Sequence, residues 1–340
     1  MQNLSEHVAA KRINAIRHPK FPLTLYSYTD RCVYERAWDE TTLACRGLVL
    51  NDQGDIVARP FPKFFNDTEP EAQPIPWGER CEITEKLDGS LIIAFMYADE
   101  WNFCTRGSWT SEQAAFAKDW LGPRLKGYFT TDTLLFEAIY PENRIVVDYG
   151  SRRECVLLGR MDTASGAEKN IGEWDRTPVV RSLGPDANPA ELRSIIRDDE
   201  EGYVVRFFGG HRVKAKGARY MELHRLLSGV NARMVWEALS KEQWPPPCMD
   251  QFDEEVRTWM EAKADELTER IYDIHRRVFV AHRQVQGATR KEAAAILFAE
   301  HKDVAGLVFS QMDGRDWKAK AWDMVYPPHE RPSRVANANA

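Results

Sequence analysis

Four short stretches carry side chains that could do phosphate chemistry. In "ITEKLDGSLIIAF", residues 83–95, Lys86 stands two places before an Asp88-Gly89 turn, at the junction of two apolar, strand-like runs. A lysine so placed points from a strand end toward a cleft, although a solvated surface turn has the same pattern. In "HRVKAKGARYMELH", Lys214 and Lys216 are two apart. In a strand both project from one face, as a solvated face or as a row that grips phosphate. Such a row would disfavour protonation of a nearby third lysine and so help make it a nucleophile. Glu137 in "LLFEAI" and Glu201 in "DEEGYVVRF" sit in or beside apolar runs, where an unpaired charge is costly. Each suits a structural ion pair, a sugar hydroxyl or a hydrated metal ion. Arg46-Gly47 and Lys63 add cations ahead of Lys86.

Elements of two kinds must position these groups. Up to about residue 220 the chain reads as short strands punctuated by Gly, Pro, Asn and Asp. They are "RGLVLND", "DIVARPF", "CEITEKL", "SLIIAFMY", "NFCTRGS", "TLLFEAI", "NRIVVDY", "ECVLLGRMD", "EGYVVRFF" and "HRVKAKG". "TSEQAAFAKDWLGPRL" opens with Ser and Glu before an apolar pattern and predicts a helix. Beyond residue 220, Phe252, Val256, Met260, Leu267, Ile271, Ile274 and Val278 recur at helical spacing. "WPPPCMD" breaks this helical region, and "TRKEAAAILFAEHKDVAGLVFSQM" continues it. The reading is an α+β body over 1–222, an all-helical domain over 223–330, and a disordered tail over 331–340. Trp236, Trp259 and Arg276 are candidates for an exposed partner surface on the helical domain, with core packing the commoner role for such aromatics.

Composition narrows the classes. A chain of 340 residues with 43% hydrophobic residues and eleven tryptophans buries a sizeable core. Six scattered cysteines without a C-x-x-C or a neighbouring histidine cluster argue against structural zinc and a disulfide framework. The net charge of −6 excludes a uniformly basic nucleic-acid binder but permits a basic groove. With no apolar run of membrane-span length and no signal-like start, a soluble cytoplasmic protein is expected.

The order of the motifs says more than any one of them. "CRGLVL", "ARPFPKFFN", "EKLDGSL", "FEAIYPENRIVVDY", "EGYVVRF" and "KAKGARYMELH" in succession resemble the RNA ligase 1 family of covalent nucleotidyltransferases, typified by the phage T4 enzyme. The resemblance covers roughly residues 25 to 225. It implies an antiparallel-sheet, ATP-grasp-like nucleotidyltransferase domain. It implies ATP as substrate, magnesium or manganese as cofactor, and sealing of RNA 3′-OH and 5′-phosphate ends, in a single strand or a broken tRNA loop. Lys86 would become lysyl-AMP. Asp88 and Glu201 would hold the hydrated metal, Glu137 the ribose, and Lys214 and Lys216 the α-phosphate. Arg46 and Lys63 would engage the outer phosphates, and Glu85, Gly89 and Arg106 complete the implied ATP contacts. Arg106, in "TRGS", stands where the family carries lysine. Phe65, Gly202 and Tyr220 would shape the site. A DNA ligase or capping guanylyltransferase is the alternative within the superfamily, and a non-catalytic RNA-binding relative the alternative outside enzymes. Those two enzyme classes close a small β-barrel over the nucleotide, whereas this chain turns helical after residue 220. A monomer and no membrane partner are expected.

Overall fold

The computed structural model describes residues 3–171, 174–184, 187–252 and 254–332. It divides into two compact units, parting between Glu222 and Leu223. The tail expected from residue 331 lies, from 333 onward, outside the described residues.

The first unit is α+β. Strands β1 (Ile13–Arg17), β2 (Leu23–Tyr28), β3 (Arg46–Asn51) and β4 (Ile56–Ala58) form one sheet in chain order. Strands β5 (Phe65–Asn66), β6 (Cys81–Lys86), β7 (Ser90–Tyr97), β8 (Glu100–Cys104), β9 (Thr133–Ile139), β10 (Glu154–Met161), β11 (Glu168–Lys169), β12 (Gly202–Phe207) and β13 (Arg212–Lys216) make the other two. The five-stranded sheet runs β11-β10-β9-β7-β8, and the four-stranded one β5-β13-β12-β6. Neighbours pair antiparallel except β5, which adds to β13 in parallel.

Both faces of β9 are covered, so it reads as a nearly continuous apolar run. On one face, Leu134, Phe136 and Ala138 pack with Ala117, Leu121 and Leu125 of the helix Glu112–Leu125. Ser111 caps that helix, accepting from the Ala114 amide at 3.2 Å. On the other face, Leu135 packs with Ile93 and Phe95 of β7 and with Leu25 and Val49 of the first sheet.

One expected strand is absent. Residues 144–149 of "NRIVVDY" are irregular, because the carboxylate of Asp88 takes the amides of Val146 and Val147. Those donors are then closed to a sheet ladder. Strands β1, β2, β5 and β11 were not anticipated.

The second unit is helical among the described residues, with helices Ala232–Ser240, Glu254–Gln284, Arg290–Glu300, Ala305–Met312 and Lys318–Met324. Val256, Met260, Leu267, Ile271, Ile274 and Val278 of the long helix are all buried, as their spacing predicts. Ile271, Ile274 and Val278 meet Leu297, Val304, Val308 and Val325 in one core. Trp236 is not an exposed aromatic. It packs against this core, and its indole donates to the carbonyl of Trp322 at 2.9 Å. Trp259 is half-buried, while Arg276 is exposed and pairs with Asp273. No described helix is long and apolar enough to cross a membrane.

Candidate active site

Strand register brings the lysines together. Central β12 pairs with β6 on one side and β13 on the other, and Gly202 lies opposite both Lys86 and Lys216. Val204, two residues on, faces Lys214 and Thr84. Side chains alternate along a strand, so Lys86, Lys214 and Lys216 project from the same face. Only glycine fits at 202: its φ is +142°, and a Cβ would sit 2.0 Å from the Ala215 carbonyl oxygen. Directly before it, Glu201 reaches both outer strands. Its Oε2 accepts from Lys86 Nζ at 2.7 Å and its Oε1 pairs with Lys216 Nζ at 2.8 Å.

This face lines a cleft of about 1010 Å³, together with Glu137, Leu91, Arg46, Lys63 and Phe64. Glu137 stands in the fully buried β9 and accepts from the Gly89 amide at 3.1 Å. Gly89 is required by close approach, since a Cβ there would meet the Ala138 carbonyl oxygen at 2.5 Å. Lys63 Nζ lies 4.1 Å from the centre of the Phe65 ring and 3.1 Å from the Phe64 carbonyl oxygen. Arg46 stacks on Phe64, and its buried Nη1 has no hydrogen-bond partner. A buried, unanswered guanidinium nitrogen in the wall of a cationic cleft suits an anion, and phosphate answers it best.

The proton balance differs from the sequence-based expectation. The lysine row was expected to favour neutral Lys86. Burial does push Lys86 that way, but the carboxylates of Glu201, Glu137 and Asp88 outweigh it and raise its pKa above the ordinary lysine value. The depressed amine is Lys214. Burial, and then Lys63, Lys86, Lys216 and Arg46, push it down to about 6. Lys214 makes no ion pair among the described residues. Burial alone would raise Glu201, but Lys86 and Lys216 hold it below the usual carboxylate range. Glu137 is pushed up to about 7 by burial, which Lys86 opposes and Glu201 reinforces.

Asp88 has a different place from the one expected. Its Oδ2 accepts from Val146 and Val147 at 2.7 and 2.8 Å, and its Oδ1 accepts from Tyr220 Oη at 2.7 Å. With both oxygens engaged and only 3% of the residue exposed, it braces the turn after Lys86. Tyr220 also places its ring under Lys216 Nζ, 4.9 Å away. Phe65 belongs to the core: facing Val213, it points away from the Lys214 side, and Phe64 forms the cleft wall instead. Glu85 reaches the cleft margin, but its carboxylate pairs with Arg181 at 3.3 Å. Arg106 stacks on Tyr28, a cleft-lining residue, at 4.8 Å.

Two participants were missed. Tyr149 accepts from the Asp88 amide at 2.9 Å, holding the turn from the irregular segment that was expected to be a strand. Arg212 extends the cationic row of β13 and stacks on Phe61 at 3.9 Å. Its signal was present, two residues before Lys214 on the same strand face.

Residues 44–181 match the model of the family described as RNA ligase. A stretch of 107 residues is 33% identical to a protein of Autographa californica nuclear polyhedrosis virus, named as a bifunctional polynucleotide kinase/RNA ligase. That match covers 26% of this chain and 15% of the viral one. Over 219 residues the chain is 29% identical to RNA ligase 1 of bacteriophage TS2126, covering 54% of this chain and 52% of the phage protein. The chain thus spans about half, or less, of the length of these relatives. Among solved structures it is similar to an archaeal ATP-dependent RNA ligase, at 16% identity and a TM-score of 0.47, over 80% of this chain and 78% of that one. The segment that matches the RNA ligase family model, residues 44–181, holds Lys86 and the turn behind it, and over a longer stretch the chain is similar to a phage RNA ligase 1.

Proposed function

We propose that the chain is an ATP-dependent RNA ligase that works through AMP bound to Lys86 and then to RNA. The observation that carries this is the Lys86–Glu201–Lys216 bridge, set beside unpaired Lys214 in one cleft. Lys86 Nζ attacks the α-phosphorus of ATP. The N–P bond forms as the P–O bond to pyrophosphate breaks, and Lys86 sheds a proton. The ammonium first loses one proton to solvent to become nucleophilic, and Glu201 Oε2, which already accepts its hydrogen bond, is the nearest acceptor for the second, shed as the N–P bond forms. Lys214 and Lys216 neutralise charge at the α-phosphate, and Arg46, Lys63 and Arg212 receive the outer phosphates. Glu137 meets the ribose. An RNA 5′-phosphate oxygen next attacks the lysyl-AMP phosphorus, the N–P bond breaks, and Lys86 departs as the amine by taking back the proton held at Glu201. A 3′-hydroxyl then attacks the 5′-phosphate and AMP leaves.

Among the described residues no group of three or more His, Cys, Asp or Glu could hold a metal. A magnesium ion that keeps most of its water and takes phosphate oxygens needs few protein ligands. Glu201 would hold that water shell, with Asp88 bracing from behind, and the ion would neutralise phosphate charge when bound. The family match and the names of the relatives favour RNA ends over DNA ends.

The test is incubation with ATP labelled at the α-phosphate, after pyrophosphate has stripped any AMP already attached. Wild type takes the label from ATP and not from GTP, and Lys86→Ala takes none. A labelled Lys86→Ala protein overturns the choice of nucleophile. An unlabelled, correctly folded wild type favours a non-catalytic RNA-binding protein, and labelling from GTP favours a capping-type enzyme.

A further inference from the structure

The cleft continues well past the groups that ATP requires. Along β12, Arg206 lies four residues from Gly202, the residue opposite Lys86. At about 3.3 Å per residue it is roughly 13 Å from the nucleophile. Arg206 and Arg212 are cross-strand partners, so the cationic row passes from Lys214 through Arg212 to Arg206. Beyond it two aromatics line the same cleft in the open, Phe208 at 63% and Trp77 at 38% exposure. Arg80 and Arg206 both hold their guanidinium groups 5.5 Å from the Phe208 ring. Arg206 is partly offset by Glu82 at 2.7 Å and by Glu168 at 3.6 Å, Glu168 also pairs with Arg212, and the Glu79 carboxylate lies against Gly209. Arg80 makes no ion pair among the described residues.

Exposed aromatic rings flanked by arginines, continuous with a phosphate-binding row, have the chemistry of a single-stranded nucleic-acid platform. The direction agrees with the reaction. A 5′-phosphate that displaces Lys86 in line must enter from the side by which pyrophosphate left, so its strand runs out past Lys214 and Arg212. We propose that Trp77 and Phe208 stack the bases of the 5′-phosphate-bearing RNA strand, a few nucleotides from its reacting end. The proposal depends on the RNA-joining reading for the identity of the strand.

Of two variants, Phe208→Ala removes an exposed ring, and Trp77→Ala removes a partly exposed one that also meets the buried Phe207 ring edge-on at 5.9 Å. Both form lysyl-AMP at the wild-type rate. AMP transfer to a 5′-phosphorylated decamer of RNA falls about tenfold in each, the size of one lost base stack. Transfer to a nucleoside 3′,5′-bisphosphate, too short to reach the platform, is unchanged, and Phe208→Trp retains transfer to the decamer. Equal losses on both acceptors, or none on the decamer, overturn the platform. Binding of a fluorescent 5′-phosphorylated decamer supplies a readout without catalysis. It weakens about tenfold in Phe208→Ala, and unchanged binding overturns the platform even for a protein that takes no AMP. A wild-type dimer that Phe208→Ala separates assigns the patch to self-association instead. A wild type without lysyl-AMP whose RNA binding still depends on Phe208 sinks the ligase reading and leaves the platform standing.

Discussion

The two faces of the sheet β5-β13-β12-β6 share every backbone hydrogen bond and almost nothing else. One face carries Ile83, Tyr203, Val205, Val213 and Ala215, none more than 3% exposed. The other carries Lys86, Thr84, Lys214, Lys216 and Arg212 into the cleft. Stability and chemistry are therefore one residue apart along the same strands. Apolar burial on the first face holds like charges together on the second, where Lys63, Lys86, Lys216 and Arg46 all press on Lys214. A register slip of one residue would exchange the faces, which makes the Gly202 junction between Lys86 and Lys216 the point where the sheet is pinned.

The comparison breaks most visibly at Lys214. Lys214→Met should impair AMP attachment about a hundredfold while making the protein more stable, by about 2–4 kcal/mol near pH 7. In the folded chain the amine titrates near 6, against an ordinary 10.5. Between those values the unfolded chain binds the extra proton, so wild-type stability rises with pH across that window. Below about 6 both states are protonated and the penalty is constant. Denaturant unfolding at pH 6, 7.5 and 9 measures this. The wild-type slope should shrink in Lys214→Met, and a variant less stable than wild type at pH 7 would show that Lys214 has a stabilising partner.

A change on the opposite face should have the opposite signature. Val205 is fully buried, and Val205→Ala should cost about 2 kcal/mol through lost burial and a small cavity. Well below the melting temperature, single-turnover AMP attachment should stay within about twofold of wild type. A tenfold loss in a folded Val205→Ala protein would mean that the two faces are not separable.

Much of this arrangement is legible in the sequence, and the rest fails for identifiable reasons. Short apolar runs bounded by turn residues mark β6, β7, β9, β12 and β13, and the two-residue spacing places Lys214 with Lys216. Helical spacing likewise finds the buried stripe from Val256 to Val278. Phe65 is misread because β5 spans two residues after a Pro-Phe-Pro run, too few for alternation to fix its phase. The segment 144–149 has a strand's composition, yet its amides go to Asp88, some 58 residues earlier. Tyr220 meets Asp88 across 132 residues, and no local pattern encodes such a contact. The proton state of Lys86 is hidden for the same reason: the row of lysines is visible in the sequence, but the carboxylate bridging it is not.

That last difference gives the finest test. If the cation row governs Lys86, the amine is neutral near pH 7 and AMP attachment is flat with pH. If Glu201 governs it, Lys86 is protonated in the free protein, because Glu201, Glu137 and Asp88 outweigh the burial that opposes them. The attacking fraction then grows about tenfold per pH unit until the raised lysine value is reached. Single-turnover labelling at saturating ATP, from pH 6 to 9, isolates the chemical step from AMP transfer. A logarithmic slope near one supports the carboxylate bridge, although Glu137, titrating at about 7, should bend the acid end as its charge is lost. A flat profile would return control to the cation row and recast Glu201 as a group that only spaces Lys86 from Lys216.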